Sequence, residues 1–307
     1  MNHVVYCLDE NYEQHFGVSL TSLLINYGDG SDLTIHVIID KVSETMQSAL
    51  KVLRNTYKSK INVCVIGEDL KANLQNISQK THLEYISSAT FFRLAIAEIL
   101  DESIEKVLYL DSDTVIQKSI KPLFEINFDG NAVLGTRHQK ALNHQQRLGV
   151  PAYLSAGVLL MDLVKCRVRG LLKRSVEILQ DPHIETPFMD QDAINIVFQK
   201  EIGYIDPIWN VMVYEYTDPQ IISNSYIAHY NGFKKPWQSW YPDRQGGLYR
   251  SYLAVCPWKN TRLISAKTRA EHRMMSIKYE SEGNYQKATE ELKFVAEMFR
   301  AELGHKK

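Results

Sequence analysis

The sequence is poor in residues that would staple or anchor a chain. Its four cysteines, Cys7, Cys64, Cys166 and Cys256, are widely spaced and form no Cys-x-x-Cys pair. That excludes a zinc ribbon or a thioredoxin-like motif and leaves each as a small apolar packing residue. No charged-then-apolar leader opens the sequence and no run approaches bilayer-spanning length, so the expected compartment is the reducing cytoplasm. Net charge is also lacking: 35 Lys+Arg against 36 Asp+Glu leave −1, which argues against a dedicated nucleic-acid binder. No Gly-x-x-x-x-Gly-Lys loop is present, so nothing supports P-loop phosphoryl transfer.

What remains is an ordinary globular composition, 45% hydrophobic and 23% charged over 307 residues, enough for one large α/β core with an appendage. The charge is unevenly placed. Residues 258–307 hold 11 Lys/Arg against 7 Asp/Glu, leaving 24 against 29 in residues 1–257. The basic tail is a candidate contact for an acidic membrane face or a partner, and a solvated helix surface accounts for it equally well.

Periodicity predicts a strand over His3–Leu8, then a helix through Leu20, Leu23, Leu24 and Tyr27. Leu33–Ile39 reads as a second strand, Ser43–Tyr57 as a helix with Ser43 as N-cap, and Ile61–Ile66 as a third strand. Ser88–Leu100 reads as an apolar-rich helix and Lys106–Leu110 as a strand. Ala132–Leu134 and Gly157–Met161 read as further buried strands. This alternation predicts a mostly parallel sheet flanked by helices, with ligands beyond the carboxyl ends of its strands, where Asp9 and Asp111 fall. Gln139–Gly149 is polar and aperiodic, a candidate mobile lid. After residue 257 we expect a C-terminal helical hairpin, Ser265–Glu280 and Tyr285–Leu303, whose second helix buries Leu292, Val295, Phe299 and Leu303.

Asp111-Ser112-Asp113 is the central chemical feature. A chain of this length contains about one Asp-x-Asp by chance, but two carboxylates at the end of a buried strand are costly unless a cation or hydrogen bonds satisfy them. Oxygen ligands suit Mg²⁺ or Mn²⁺, and an imidazole favours Mn²⁺. His229 is the candidate, in Ala228-His-Tyr-Asn-Gly232, although a histidine between a strand and a glycine turn is more often structural. Lys234 and Lys235 follow at once, so a metal and a lysine together suit a pyrophosphate. Trp237, Trp240 and Tyr241 are either a platform for a sugar or core packing.

Taken in order, Asp9-Glu-Asn11-Tyr12, Phe92-Arg93-Leu94, Val107-Leu-Tyr-Leu-Asp111-x-Asp113, Ala156-Gly157-Val-Leu-Leu, Asp190-Gln191-Asp192 and His229-Tyr-x-Gly232-x-x-Lys235-Pro-Trp237 resemble glycosyltransferase family 8. That family includes bacterial lipopolysaccharide galactosyl- and glucosyltransferases and the glycogenins. The resemblance runs to about Trp240. It implies a GT-A fold over residues 1–257, with 258–307 as the appendage, and transfer of galactose or glucose from a UDP-sugar to a glycan or glycoconjugate, with Mn²⁺ and retained anomeric configuration. By position, Asp111, Asp113 and His229 match metal ligands, and Asp9, Asn11 and Tyr12 match uridine contacts. Arg93, Asp190, Gln191 and Asp192 match residues lining the donor sugar, and Gly232 and Lys235 match diphosphate contacts. Ser112, Ser155 and Ala156 are further donor contacts. Gln191, Asp190, Asp192 and Lys235 form the catalytic set.

Two departures from the family pattern stand out. Ser155 replaces an asparagine common before Ala-Gly, which alters the hydrogen bonds available to a sugar hydroxyl. Thr136-Arg137-His138 occupies a stretch where relatives often place an acid. Because Gln191 is an amide and a poor nucleophile, front-face attack is favoured over a covalent intermediate on Asp190 or Asp192. A metal-dependent phosphoryl or nucleotidyl transferase and a non-catalytic UDP-sugar or glycan binder stay open as alternatives.

Overall fold

The computed structural model describes residues 1–79, 88–138 and 142–304. Runs of Val, Ile and Leu form the strands β1 (Asn2–Leu8), β2 (Leu33–Ile39), β3 (Lys60–Val65), β4 (Lys106–Leu110), β5 (Thr114–Ile116), β6 (Val133–Arg137), β7 (Leu154–Asp162), β8 (Ile202–Tyr204), β9 (Val211–Met212) and β10 (Ile227–His229). The described residues divide into two units. Met1–Val211 with Ser225–His229 make the first, and Met212–Asn224 with Tyr230–Lys307 the second.

In the first unit seven strands form one sheet in the order β3-β2-β1-β4-β7-β6-β8. The β1–β2, β2–β3, β1–β4 and β6–β8 pairs are parallel, and β7 runs antiparallel to both neighbours. All seven residues of β2 are buried, as expected of a strand covered on both faces. The order reverses between β1 and β4. Such a switch point leaves a crevice at the carboxyl ends of two adjacent strands, and Asp9 and Asp111 are the first residues past those ends.

Helices α1 (Glu13–Tyr27), α2 (Glu44–Thr56), α3 (Glu68–Gln79), α4 (Ile96–Ile99), α5 (Leu142–Leu148), α6 (Leu163–Arg169), α7 (Leu171–Gln180) and α8 (Met189–Val197) belong to this unit. Ser43 caps α2, its Oγ accepting from Met46 N at 3.0 Å. The stretch expected as one helix over Ser88–Leu100 is instead a 3₁₀ segment, Ser88–Ala95, running into the single turn α4. Phe91, Phe92, Leu94 and Ile96 all enter the core beside Val5, Val107 and Ile194. The stretch read as a mobile lid contains α5 over residues 142–148, while Gln139, Lys140 and Ala141 lie outside the described residues.

In the second unit, α9 (Pro219–Asn224) and α10 (Asp243–Val255) precede the hairpin of α11 (Arg269–Ser281) and α12 (Tyr285–Gly304). Thr268 and Glu271 form a capping box at the start of α11. The stripe expected to be buried on α12 is largely exposed: Leu292 retains 51%, Phe299 46% and Leu303 52% of its accessible surface. The buried α12 residue is Ala288, whose carbonyl accepts from Ser276 Oγ at 3.0 Å. His272 reaches Glu291 at 2.6 Å. A seam of Ala288, the His272–Glu291 pair and Phe294 packed on His272 joins the two helices, and among the described residues no third helix covers the apolar stripe.

At the amino end of the sheet, His3 Nδ1 and His36 Nε2 stand 3.0 Å apart. Burial, and then the neighbouring His3 charge, pushes His36 down to about 4, and burial also lowers His3. A base depressed in the folded state stabilises the protein above its unfolded pKa of about 6.5 and loses that contribution as pH falls toward the folded value. Stability is therefore expected to fall as pH drops from about 7.5 to about 5, chiefly through His36. Urea midpoints of His36→Gln should show a flatter acid limb, and an equal slope would refute the assignment.

Candidate active site

The Asp111-Ser112-Asp113 turn is tied down from three sides. Asp111 N donates to Gly157 O on β7 at 2.8 Å, and Thr114 N and Oγ1 close onto Asp111 O at 3.2 and 2.7 Å. Polar residues of the buried helix α1 then hold β5. Ser19 Oγ lies 2.9 Å from Thr114 Oγ1, and Ile116 N donates to Ser22 Oγ at 2.9 Å. Tyr109 Oη also donates to Asp111 Oδ1.

His229 arrives by strand pairing. Antiparallel β10 sets His229 opposite Thr114 on β5, which brings Nε2 to 3.1 Å from Asp113 Oδ1 and 3.5 Å from Asp111 Oδ2. Ligand atoms of the three residues all lie within 4.8 Å of one another. On its other side His229 Nδ1 lies 2.9 Å from Asn210 Oδ1, and Asn210 Nδ2 reaches Thr136 Oγ1 at 3.2 Å and Ser155 Oγ at 3.1 Å. In this amide orientation Nδ1 carries the proton, so the Nε2 lone pair faces two carboxylates. Three acceptors so placed call for a cation between them. Gly157 keeps the space clear: a Cβ there would overlap His229 Cε1 and come within 2.8 Å of Asp111 Oδ2. The donor set, the space and the oriented imidazole fit a divalent ion.

Arg93 joins this cluster to α8. Its Nη2 lies 2.9 Å from Asp111 Oδ1, its Nε 3.0 Å from Asp190 Oδ2, and its Nη1 donates to Ala156 O at 3.0 Å, with the guanidinium over the Tyr109 ring. Burial opposes its charge, but Asp111 and Asp190 outweigh burial and hold its pKa above the usual range. Burial pushes the Asp190 carboxyl up to about 6 despite Arg93. Gln191 Oε1 accepts from Ala156 N at 2.9 Å and its Nε2 donates to Tyr153 Oη at 3.2 Å. Asp192 is fully buried. Its Oδ1 accepts from Tyr153 Oη at 2.5 Å and Arg147 Nη2 at 2.8 Å, and its Oδ2 from Phe188 N at 2.9 Å.

Residues 3–241 match the model of glycosyl transferase family 8. The chain belongs to this family. It is 27% identical to the lipopolysaccharide 1,3-galactosyltransferase of Salmonella typhimurium, over 92% of this chain and 88% of that one. It is 27% identical to the lipopolysaccharide glucosyltransferase WaaO of Escherichia coli, over 85% of this chain and 80% of the relative. The galactosyltransferase LgtC, solved with donor and acceptor sugar analogues, superposes with a TM-score of 0.70 at 24% identity, covering 83% of this chain and 96% of that one. The fold is GT-A.

The remaining family 8 positions fall in two places. Asp9 Oδ1 caps a 3₁₀ turn by accepting from Asn11 N at 2.9 Å. The Tyr12 phenol that follows is raised above its ordinary pKa by burial and then by the charges of Asp113 and Asp111, so it lies in the field of the acid pair. Ser112 Oγ is buried between the two acids with no hydrogen-bond partner among the described residues. Gly232 and Lys235 belong to the second unit, where Lys235 Nζ donates to Tyr230 O at 2.8 Å. Ser155, the departure from the family pattern, bonds to Asn210.

The sequence reading missed Asn210, Tyr109, Tyr153 and Arg147. Asn210, Tyr153 and Arg147 each orient a residue distant in sequence, so no local pattern signals them, while Tyr109 lies inside the strand motif itself and donates to Asp111 two residues on. Replacing Asn210 with Ala is expected to weaken binding of a divalent ion, with Mn²⁺ as the probe, about 10–100-fold by freeing the His229 ring. Titration of free Mn²⁺ by electron paramagnetic resonance measures this, and unchanged affinity would show that the ring is held by other contacts.

Proposed function

We propose that the chain transfers a hexose, galactose or glucose, from a UDP-sugar to a glycan or glycoconjugate acceptor, with Mn²⁺ or Mg²⁺ held by Asp111, Asp113 and His229 and with the anomeric configuration retained. The observation that carries this reading is the convergence of those three ligands at the β1/β4 switch point. The names of the lipopolysaccharide galactosyl- and glucosyltransferases among its relatives support a hexose donor and a bacterial glycan as acceptor. When bound, the ion supplies charge neutralisation for the departing diphosphate.

The chain's own residues supply the rest. Asp9, Asn11 and Tyr12 receive the uridine beside the acid pair, and Ser112 Oγ offers a buried hydroxyl to the donor. Lys235, approached through the turn at Gly232, adds positive charge to the leaving group. Arg93 holds Asp111 and Asp190 apart in a fixed frame, and Asp190, Ser155 and Ala156 flank the sugar. Front-face transfer fits the α8 residues best. Gln191 is an amide, Asp190 is paired with Arg93, and Asp192 spends both oxygens on Tyr153, Arg147 and Phe188 N. The acceptor oxygen then bonds to C1 on the face from which the phosphate oxygen leaves, and the acceptor proton passes to that oxygen.

Residues 1–257 form the catalytic body in this reading, and 258–307 a hairpin that lies against the membrane bearing the acceptor. Arg269, Arg273, Leu292 and Phe299 line one groove of that hairpin, a cationic and apolar mixture suited to an anionic surface. No helix among the described residues is long and apolar enough to cross a membrane, so any such attachment is peripheral in this reading. Cosedimentation with anionic vesicles, lost on changing Arg269 and Arg273 to Glu, tests it.

Incubation with UDP-galactose, UDP-glucose and Mn²⁺ should release UDP with loss of the sugar, and release of UMP would indicate nucleotidyl transfer instead. His229→Ala is expected to lower turnover by roughly two to three decades with the fold intact. Lys235→Ala should reduce kcat more than it raises the donor KM, because its partner charge grows in the transition state. A normal rate in the first variant removes His229 from the site, and in the second places Lys235 outside it.

A further inference from the structure

The second unit contains a cavity of about 640 Å³ outside the metal-ligand cluster, lined in part by Lys234 and by Trp240 and Tyr241, two of the aromatics read from the sequence as a sugar platform or core packing. One wall is a single face of α11: Met274, Ile277, Lys278 and Ser281 line it, at helical spacings of three, one and three. The opposite wall is Trp240, Tyr241 and the first turn of α10, from Asp243 to Gln245. Its volume suits a small-molecule or short-oligomer site.

The lining indicates what chemistry it takes. Trp240 and Tyr241 are aromatic, and Met274 and Ile277 aliphatic, so part of the surface is apolar. The charged groups balance: Lys234, Arg244 and Lys278 against Glu215, Asp243 and Glu282. Lys234 is paired with Glu215 at 2.6 Å, and Lys278, 2.9 Å from Asp243, shares that carboxylate with Arg250. With equal numbers of cations and carboxylates in the lining, the cavity wall presents no net positive charge to an anionic ligand. Buried Lys278 is fixed further by donating to Ser239 O at 2.9 Å, and Gln245 Nε2 donates to Thr217 O at 2.9 Å, so the polar groups are held in place. The Tyr241 hydroxyl is buried without a hydrogen-bond partner among the described residues. A fixed array of carboxylates, an amide and a phenol beside aromatic and aliphatic surface matches a molecule with many hydroxyls and apolar C–H faces.

We propose that this cavity is a second carbohydrate subsite, built by the C-terminal hairpin, that takes a neutral oligosaccharide portion of the acceptor. Its assignment to the acceptor rests on the glycosyltransferase reading, whereas its affinity for neutral sugar does not. The hairpin thus contributes a wall to carbohydrate recognition.

The test uses the full chain, with maltotriose and lactose as probes and glucose 6-phosphate as the anionic control, and reads binding by calorimetry and by Trp fluorescence. Ser281→Trp and Ile277→Arg fill or charge the cavity from exposed α11 positions, where the fold tolerates change. The proposal expects at least one neutral probe to bind the parent, at least tenfold weaker binding in both variants, and unchanged donor hydrolysis with Mn²⁺. It also expects a raised KM for oligosaccharide acceptors with kcat preserved. No binding of either neutral probe, equal affinity in the variants, or preference for the phosphorylated sugar overturns it. If neutral probes bind at the cavity but no UDP-sugar is consumed, the subsite stands and the transferase reading falls.

Discussion

The buried guanidinium of Arg93 is the constraint on which the candidate site depends. It is drawn between Asp111, at the end of β4, and Asp190, on α8, and it also caps the carbonyl of Ala156 on β7. Removing one member of such a buried set leaves the others charged and unpaired, which costs about 3–5 kcal/mol. The set is therefore more than a stabilising contact. It fixes the distance between the sheet edge and the helix, and so fixes the opening in which a donor can lie.

Around that frame the polar residues fall into two groups. Asp111, Asp113, His229 and Ser112 leave coordination capacity open toward a ligand. Tyr153, Arg147 and Asp192 are spent on one another and on backbone, Asn210 is spent on His229, Thr136 and Ser155, and their contribution is orientation. The second group explains how carboxylates and an imidazole persist at 0–21% side-chain exposure without collapsing onto each other. Asp111, Asp190 and Asp192 each accept from a neutral or cationic donor, and the His229 ring is fixed through Asn210.

Much of the frame was legible in the sequence. Ser43 and the β-branched runs announced their elements because capping and strand formation are local. The acid pair announced itself because carboxylates at the end of an apolar strand demand an explanation. The failures share one cause, which is that tertiary partners decide. Ser88–Leu100 carries helical periodicity, yet the core takes up its consecutive phenylalanines and tightens it. The stripe of Leu292, Phe299 and Leu303 predicts burial, but these side chains stay about half exposed while α12 meets α11 through Ala288, Glu291 and Phe294, with Arg269 over the Phe299 ring. Asn210 carried no signal at all, since its role exists only once β10 has paired with β5 and brought the imidazole across from the far end of the chain.

That pairing has a topological consequence. Only three residue pairs join β5 to β10, a short ladder, yet it closes a loop of roughly a hundred residues whose ordering entropy grows only slowly with length. An ion shared by Asp113 and His229 would span the mouth of that loop. It would act as a removable clasp between the middle third of the polypeptide and its last third, backing up the short β5–β10 ladder.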